Sequence, residues 1–322
     1  DVASKASVFR RYDWSVQTRT VIGPGQADAA VLRLTGTSRA IALAIDGNGR
    51  YCYLDPYQGG AIAVAEAARN VVCAGGEPIA ATDCLNFGNP EKPEIYYQLE
   101  EAIRGMSEAC RALATPIVGG NVSLYNESNG RPIYPTPIVG MLGLLDDAEW
   151  RTPSGFQEMG DSVWLLGDRG DGHLGGTAYL AERGLVVGPA PRIDLVFERH
   201  VQRLCQAAIR AGLIQSAHDV SDGGLGAALA EACIANRHGL IVTTPEPDEP
   251  LVWLFNEAQS RIVISTRRAD GPALVRLAAE FGVPCREIGT VDGDALSIPG
   301  VLELNVDVLA RAWSLDVEAF AT

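Results

Sequence analysis

Apolar positions along this chain recur with two periods. Val31–Leu34 and Ala40–Ile45 read as short strands. Next come Ala61, Val64, Ala65, Ala68, Val71 and Val72, which form a single helical stripe. The stripe is built of small residues, which predicts a helix packed close to a neighbour. Gly59-Gly60 opens this helix, and Gly75-Gly76 ends it, as glycine does just past a helix. Ile79–Leu85 is strand-like, and Glu94–Leu113 predicts a second helix with Leu99, Ile103, Met106 and Cys110 inward. Ile138–Leu145 is a further strand. Asp146–Gly160 is polar and rich in turn formers, which places a domain boundary there and divides the chain into 1–150 and 151–322. The second part alternates again. Strands are expected at Ser162–Gly167, Gln215–Val220, Arg261–Thr266 and Val283–Val291, with helices near 174–183, 195–211, 225–233 and 270–281. Alternation in both parts implies α/β layers rather than a bundle or a sandwich.

Length and charge narrow the function. The chain has 322 residues, enough for two domains, and 47% apolar residues supply two cores. A net charge of −14 argues against nonspecific binding of nucleic acid or of an anionic membrane. No uncharged apolar run is long enough to cross a bilayer, and no signal-like N-terminus is visible. The seven cysteines include no C-x-x-C pair or Cys/His cluster, so zinc is not expected; buried free thiols in a reducing cytosol are. The chain starts at Asp1 rather than Met, which suggests an internal piece of something longer or a trimmed start.

Three glycine-rich spots carry candidate chemistry. The first is Asp55-Pro-Tyr-Gln-Gly-Gly60 at a helix N-terminus, where backbone amides favour an anion. The second is Thr115-Pro-Ile-Val-Gly-Gly-Asn-Val-Ser-Leu-Tyr-Asn-Glu-Ser128, where Gly119-Gly120 bares N–H groups. Asn121, Ser123 and Asn126 add oxygens suited to Mg²⁺. Taken alone, a Gly-Gly pair is more often a plain tight turn between strands. The third is His218-Asp-Val-Ser-Asp-Gly-Gly-Leu225, where helix capping by Ser221 or Asp222 would explain one polar residue but not two acids and a His beside two glycines. Asp83 sits in an otherwise apolar strand and needs a metal, a donor or water; a strand-end turn is the alternative. His173, His200 and His238 carry no motif. These are parts of a nucleotide and metal holder, with no complete hydrolase or transferase centre.

Taken together, Tyr12-Asp13, Tyr53-Leu-Asp-Pro56, Ala65-Glu-Ala-Ala-Arg-Asn-Val-Val72, Gly75-Gly-Glu-Pro78, Asp83-Cys-Leu-Asn-Phe-Gly-Asn-Pro-Glu-Lys-Pro-Glu94, Gly119-Gly-Asn-Val-Ser-Leu-Tyr-Asn126 and His218-Asp-Val-Ser-Asp-Gly-Gly-Leu225 resemble the C-terminal half of the phosphoribosylformylglycinamidine synthase subunit II family (small PurL), in the PurM-like superfamily. The resemblance implies a mixed-sheet N-terminal α/β domain and a C-terminal α+β domain. It implies an ATP-dependent C–N ligase of purine biosynthesis, in the cytoplasm. The family reaction phosphorylates the amide oxygen of formylglycinamide ribonucleotide and displaces the phosphate with ammonia. Implied partners are the missing N-terminal half, the PurQ glutaminase and PurS, with a homodimer as the isolated half's option. Residue by residue, Asp83 and Gly120 match ATP-binding positions, Asn121 a Mg²⁺ ligand and Ser123 a substrate-binding position.

Departures from the family pattern shape the expectation further. The first half of the family carries a catalytic His ahead of Glu-Pro-Tyr-Gln-Gly. Here Asn48 takes that place, and an amide cannot shuttle a proton at neutral pH. Asn70 stands where the first half has a metal-binding Asp, and Glu257-Ala-Gln259 echoes a substrate-binding Glu-Ser-Gln. The expectation is a degenerate auxiliary nucleotide site near Gly59, Gly60, Asn70, Asp219 and Glu257. Asp83, Gly120, Asn121 and Ser123 are expected to face the partner half. A non-catalytic nucleotide-binding or assembly module, and another PurM-like ATP-dependent enzyme, remain as alternatives.

Overall fold

The structure, a computed structural model, describes residues 3–168, 170, 172–244 and 249–314. The first part runs α1 (Ala6–Phe9), β1 (Thr20–Ile22), β2 (Ala30–Arg33), β3 (Ala40–Asp46), α2 (Gly49–Leu54), α3 (Pro56–Cys73), β4 (Glu77–Asn86), α4 (Pro93–Leu113), β5 (Ile117–Ser123), the small hairpin β6 (Glu127–Ser128) and β7 (Arg131–Pro132), and β8 (Thr136–Leu145). The second runs β9 (Ser162–Leu166), α5 (Ala178–Ala181), α6 (Leu195–Arg210), β10 (Ser216–Asp219), α7 (Gly224–Asn236), β11 (Leu240–Val242), α8 (Pro250–Phe255), β12 (Ile262–Thr266), α9 (Gly271–Phe281), β13 (Cys285–Val291), β14 (Ala295–Ile298), β15 (Leu302–Asn305) and α10 (Val306–Trp313).

Each part is built on one mixed sheet. The first is ordered β1-β2-β3-β8-β4-β5, antiparallel except for the β4/β5 pair, with β5 at the edge. The second is ordered β10-β12-β9-β13-β11-β14-β15. β9 and β12 are buried along their whole length and are mainly apolar, whereas β8 alternates strictly. That alternation means one face of the first sheet is packed and the other is not. The packed face meets α3 and α4. The outer face carries Leu43 and Ile45, which are exposed, with Leu142 and Gly140 paired beside them.

α3 is buried nearly all round, which explains its small residues. A Cβ on Gly60 would stand 2.3 Å from the Ala102 carbonyl oxygen, and one on Gly105 would stand 2.0 Å from that of Tyr57. The α3/α4 crossing therefore requires both glycines. The helix starts at Pro56, earlier than the glycine pair, because Asp55 caps it by accepting from the Gln58 amide at 3.1 Å.

Two expectations change. Ile103 is exposed rather than inward; Ile95, Ala102, Met106 and Ala109 make the packed stripe of α4. The helix expected over 174–183 shrinks to Ala178–Ala181, because Gly176 and Gly184 both adopt positive φ at its flanks.

Candidate functional site

Gly119 and Gly120 lie inside edge strand β5, not in a loop as the sequence suggested. They continue the strand because β4 offers its hydrogen-bonding edge in parallel register, with Thr82 opposite Gly119, Asp83 opposite Gly120 and Cys84 opposite Asn121. The glycine at 120 has a steric cause. Asp83 Oδ1 lies 1.5 Å from the point a Cβ there would occupy, so any side chain would displace the carboxylate. Partial burial raises the Asp83 carboxyl above its ordinary value.

The strand pleat then separates the four residues matched to the main site. Asp83 and Gly120 share the face of Val139, which the helices cover at Val139 but leave open at the sheet edge, where Asp83 is half-buried and Gly120 exposed. Asn121 and Ser123 share the outer face with Cys84, Asn86 and Ile138. Asn121 is exposed, and its amide nitrogen approaches the Cys84 thiol at 3.9 Å. The Ser123 hydroxyl lies 3.1 Å from the Asn126 amide, which also donates to the Ser123 and Phe87 carbonyls. Backbone bonds from Phe87 to Ser123, from Tyr125 to Gly88 and from Asn126 to Phe87 tie the two motif segments into one platform. Tyr125 holds φ +59 there, a left-handed conformation unusual for an aromatic residue. One amide oxygen is a thin donor set for a hard cation. Among the described residues no three His, Cys, Asp or Glu side chains are placed to share a metal ion. A Mg²⁺ at Asn121 would take its other ligands from phosphate, water or a partner.

The internal cleft, where α3 meets the second domain, is arranged differently. Gly59 and Gly60 do not line it: their Cβ positions point into the Cys52 and Ala102 backbone. The Asn70 side chain donates to Asp46 Oδ2 at 3.0 Å. Asp219 Oδ1 accepts from Arg69 Nε at 2.5 Å. Glu257 Oε1 accepts from the amides of Ala178 and Gly223, both at 2.7 Å, and its Oε2 from the Tyr51 hydroxyl. Asn48, in the lost His position, caps α2 and donates to Asp222 at 2.9 Å. Ser221 and Asp222 do not cap α7, whose N-cap is Gly223. The cleft is acidic and largely buried. Burial, with Asp219 nearby, pushes Asp46 up to about 7; burial raises Glu257 to about 7 and, against the pull of Arg69, Asp219 to about 6. With its polar groups other than Asp219 Oδ2 engaged in this way, the cleft is a poor fit for a nucleotide–metal pair.

Sequence reading missed Arg69, Glu198 and Tyr51, which organise this cleft. A usable signal was present: Glu66 and Arg69 interrupt an otherwise apolar helix. His218 was noted only as a motif member. Its ring nitrogens lie 2.6 Å from Asp28 Oδ1 and 3.0 Å from Glu231 Oε2, and so it joins the domains. Burial opposes its charge, but the two carboxylates prevail and hold its pKa well above the ordinary value.

Comparison with known proteins agrees with this architecture. The AIR synthase related protein models match, the N-terminal domain over residues 26–145 and the C-terminal domain over residues 158–299. The chain belongs to the AIR synthase related proteins, two-domain α/β units with this pairing of sheets. Within them it is PurL-like. It is 48% identical over 318 residues to phosphoribosylformylglycinamidine synthase subunit PurL of Moorella thermoacetica, covering 97% of this chain and 43% of that relative. The chain thus spans less than half the length of the curated relatives it matches. Thermotoga maritima PurL complexed with FGAR superposes with TM-score 0.78 at 20% identity, covering 93% of this chain and 50% of that one. The structure of PurLQS from the same organism gives 0.73 at 20% identity, covering 90% and 47%. These two show the shared fold. No helix among the described residues is long and apolar enough to cross a membrane.

Proposed function

We propose that this chain is the C-terminal half of a cytoplasmic, ATP-dependent phosphoribosylformylglycinamidine synthase. In that reaction ATP phosphorylates the amide oxygen of formylglycinamide ribonucleotide. Ammonia then displaces the phosphate, giving the amidine, ADP and phosphate. The observation that carries the reading is the half-built site on β4 and β5. Asn121 and Ser123 stand on an outer sheet face whose apolar residues, Leu43 and Ile45, are exposed. A second PurM-like unit docked there would cover that face and bring ligands to both residues. In this reading Asp83 and Gly120 serve ATP, Asn121 its Mg²⁺ and Ser123 the ribonucleotide, while the proton-handling His comes from the other half. PurQ would supply ammonia and PurS would bridge the two. Without its other half, the chain would pair with itself through the same face.

The decisive experiment measures ADP release with ribonucleotide, ATP and ammonia, first from this chain alone and then after mixing with an N-terminal half. None is expected alone, and turnover is expected on mixing. Turnover by the chain alone would refute the half-site reading. ATP binding without turnover in the mixture would favour the assembly-module alternative.

A further inference from the structure

We propose that the internal cleft is liganded by the chain itself: Arg69 holds the place of a bound cation and the Glu257 carboxylate that of a bound anion, clamping the two domains without nucleotide or metal. This stands whether or not the chain is half of a ligase.

The cation side is built around one guanidinium. Arg69 projects from α3 with no exposed surface. Its Nε meets Asp219 Oδ1 on β10 at 2.5 Å, its Nη1 meets Glu198 Oε2 on α6 at 2.8 Å, and its Nη2 meets Gln259 Oε1 at 2.8 Å. Glu66 Oε2 stands 3.6 Å from Nη2. One planar guanidinium thus joins the first domain to three separate segments of the second. Its fork geometry suits several carboxylates at once, as a compact ammonium would not. Burial, with Asp46 and Asp219, pushes the Glu66 carboxyl well up.

The anion side is equally built. Gly223 opens the thirteen-residue helix α7, and amides at such an end attract a negative group. Glu257 fills that position, held also by Ala178 N and the buried Tyr51 hydroxyl. A phosphate at the Gly223 amide would have to expel it. Asp219 Oδ2 remains buried without a hydrogen-bond partner among the described residues, so a metal contact is sought there first.

Crystals of the unaltered chain soaked in Mn²⁺ and ATP test this by manganese anomalous scattering. The expected map has no peak beside Asp219, Glu66 or Asn70 and no phosphate at Gly223. Either feature would overturn the proposal. Chemical rescue gives a second readout. Arg69→Ala should lower Tm by about 5–10 °C, and millimolar methylguanidinium should restore much of it while leaving the parent chain unmoved. Acetate should do the same for Glu257→Ala. A folded variant that its small-molecule surrogate does not stabilise would also overturn it; if the variants do not fold, the manganese map decides alone.

Discussion

The Asp83 carboxylate occupies the space in which a side chain at residue 120 would begin: Oδ1 is 1.5 Å from the Cβ position of Gly120. Two adjacent strands thereby trade a side chain on one for a carboxylate on the other. Gly120→Ala should force Asp83 off its rotamer and lower stability by about 1–3 kcal/mol. Gly119→Ala, with nothing within 4 Å of its Cβ position, should stay within about 0.5 kcal/mol. Thermal denaturation of the two variants checks the contrast. In the mixed enzyme only Gly120→Ala should also weaken ATP binding.

Stability should fall as pH rises through neutrality. Asp46 and Glu257 are held at about 7 and Asp219 at about 6, above ordinary values of 3.8 and 4.5. Between those limits the folded chain keeps protons that the unfolded chain releases, so raising the pH favours unfolding. His218 acts in the same direction, its contribution full below 6.5 and lost as pH rises through its elevated folded value. Tm should therefore be higher at about pH 6 than at about pH 8. Asp46→Asn should flatten the profile; an unchanged slope would discount the buried acids.

Both ring nitrogens of His218 face carboxylate oxygens, so both must donate. Nitrogen-15 spectra at about pH 8 should show a doubly protonated ring, unlike that of a free imidazole. Asp28→Asn should return one nitrogen to the unprotonated state near neutral pH. A neutral ring in the unmodified chain would contradict the assignment.

Ile45 is 78% exposed on the outer sheet face, so an aspartate there should cost little stability in the isolated chain. Under the proposed pairing, Ile45→Asp should abolish co-elution with the N-terminal half and turnover in the mixture. Retained co-elution would move the docking surface elsewhere.

Much of the fold was legible in local sequence. The period-two and helical patterns located most strands and the long helices, because each reports burial over a few neighbouring residues. Ile103 went astray because residues on the flank and in the centre of an apolar stripe look alike until the partner helix is placed. The motif strings carried the family for a similar reason: each is a short contiguous segment.

What sequence alone determined, then, is the two α/β units, their PurL-like motifs and the absence of a histidine at Asn48. Tertiary structure alone decided that Gly119-Gly120 continues a strand and that Asp83 and Asn121 stand on opposite faces of the sheet. It also decided that Arg69 and Glu257 close the internal cleft. The hydrogen-bond partners of Arg69 lie 129, 150 and 190 residues away along the chain. Hydrophobic periodicity reports only which face of an element is buried; which charges meet once it is buried depends on how distant elements pack.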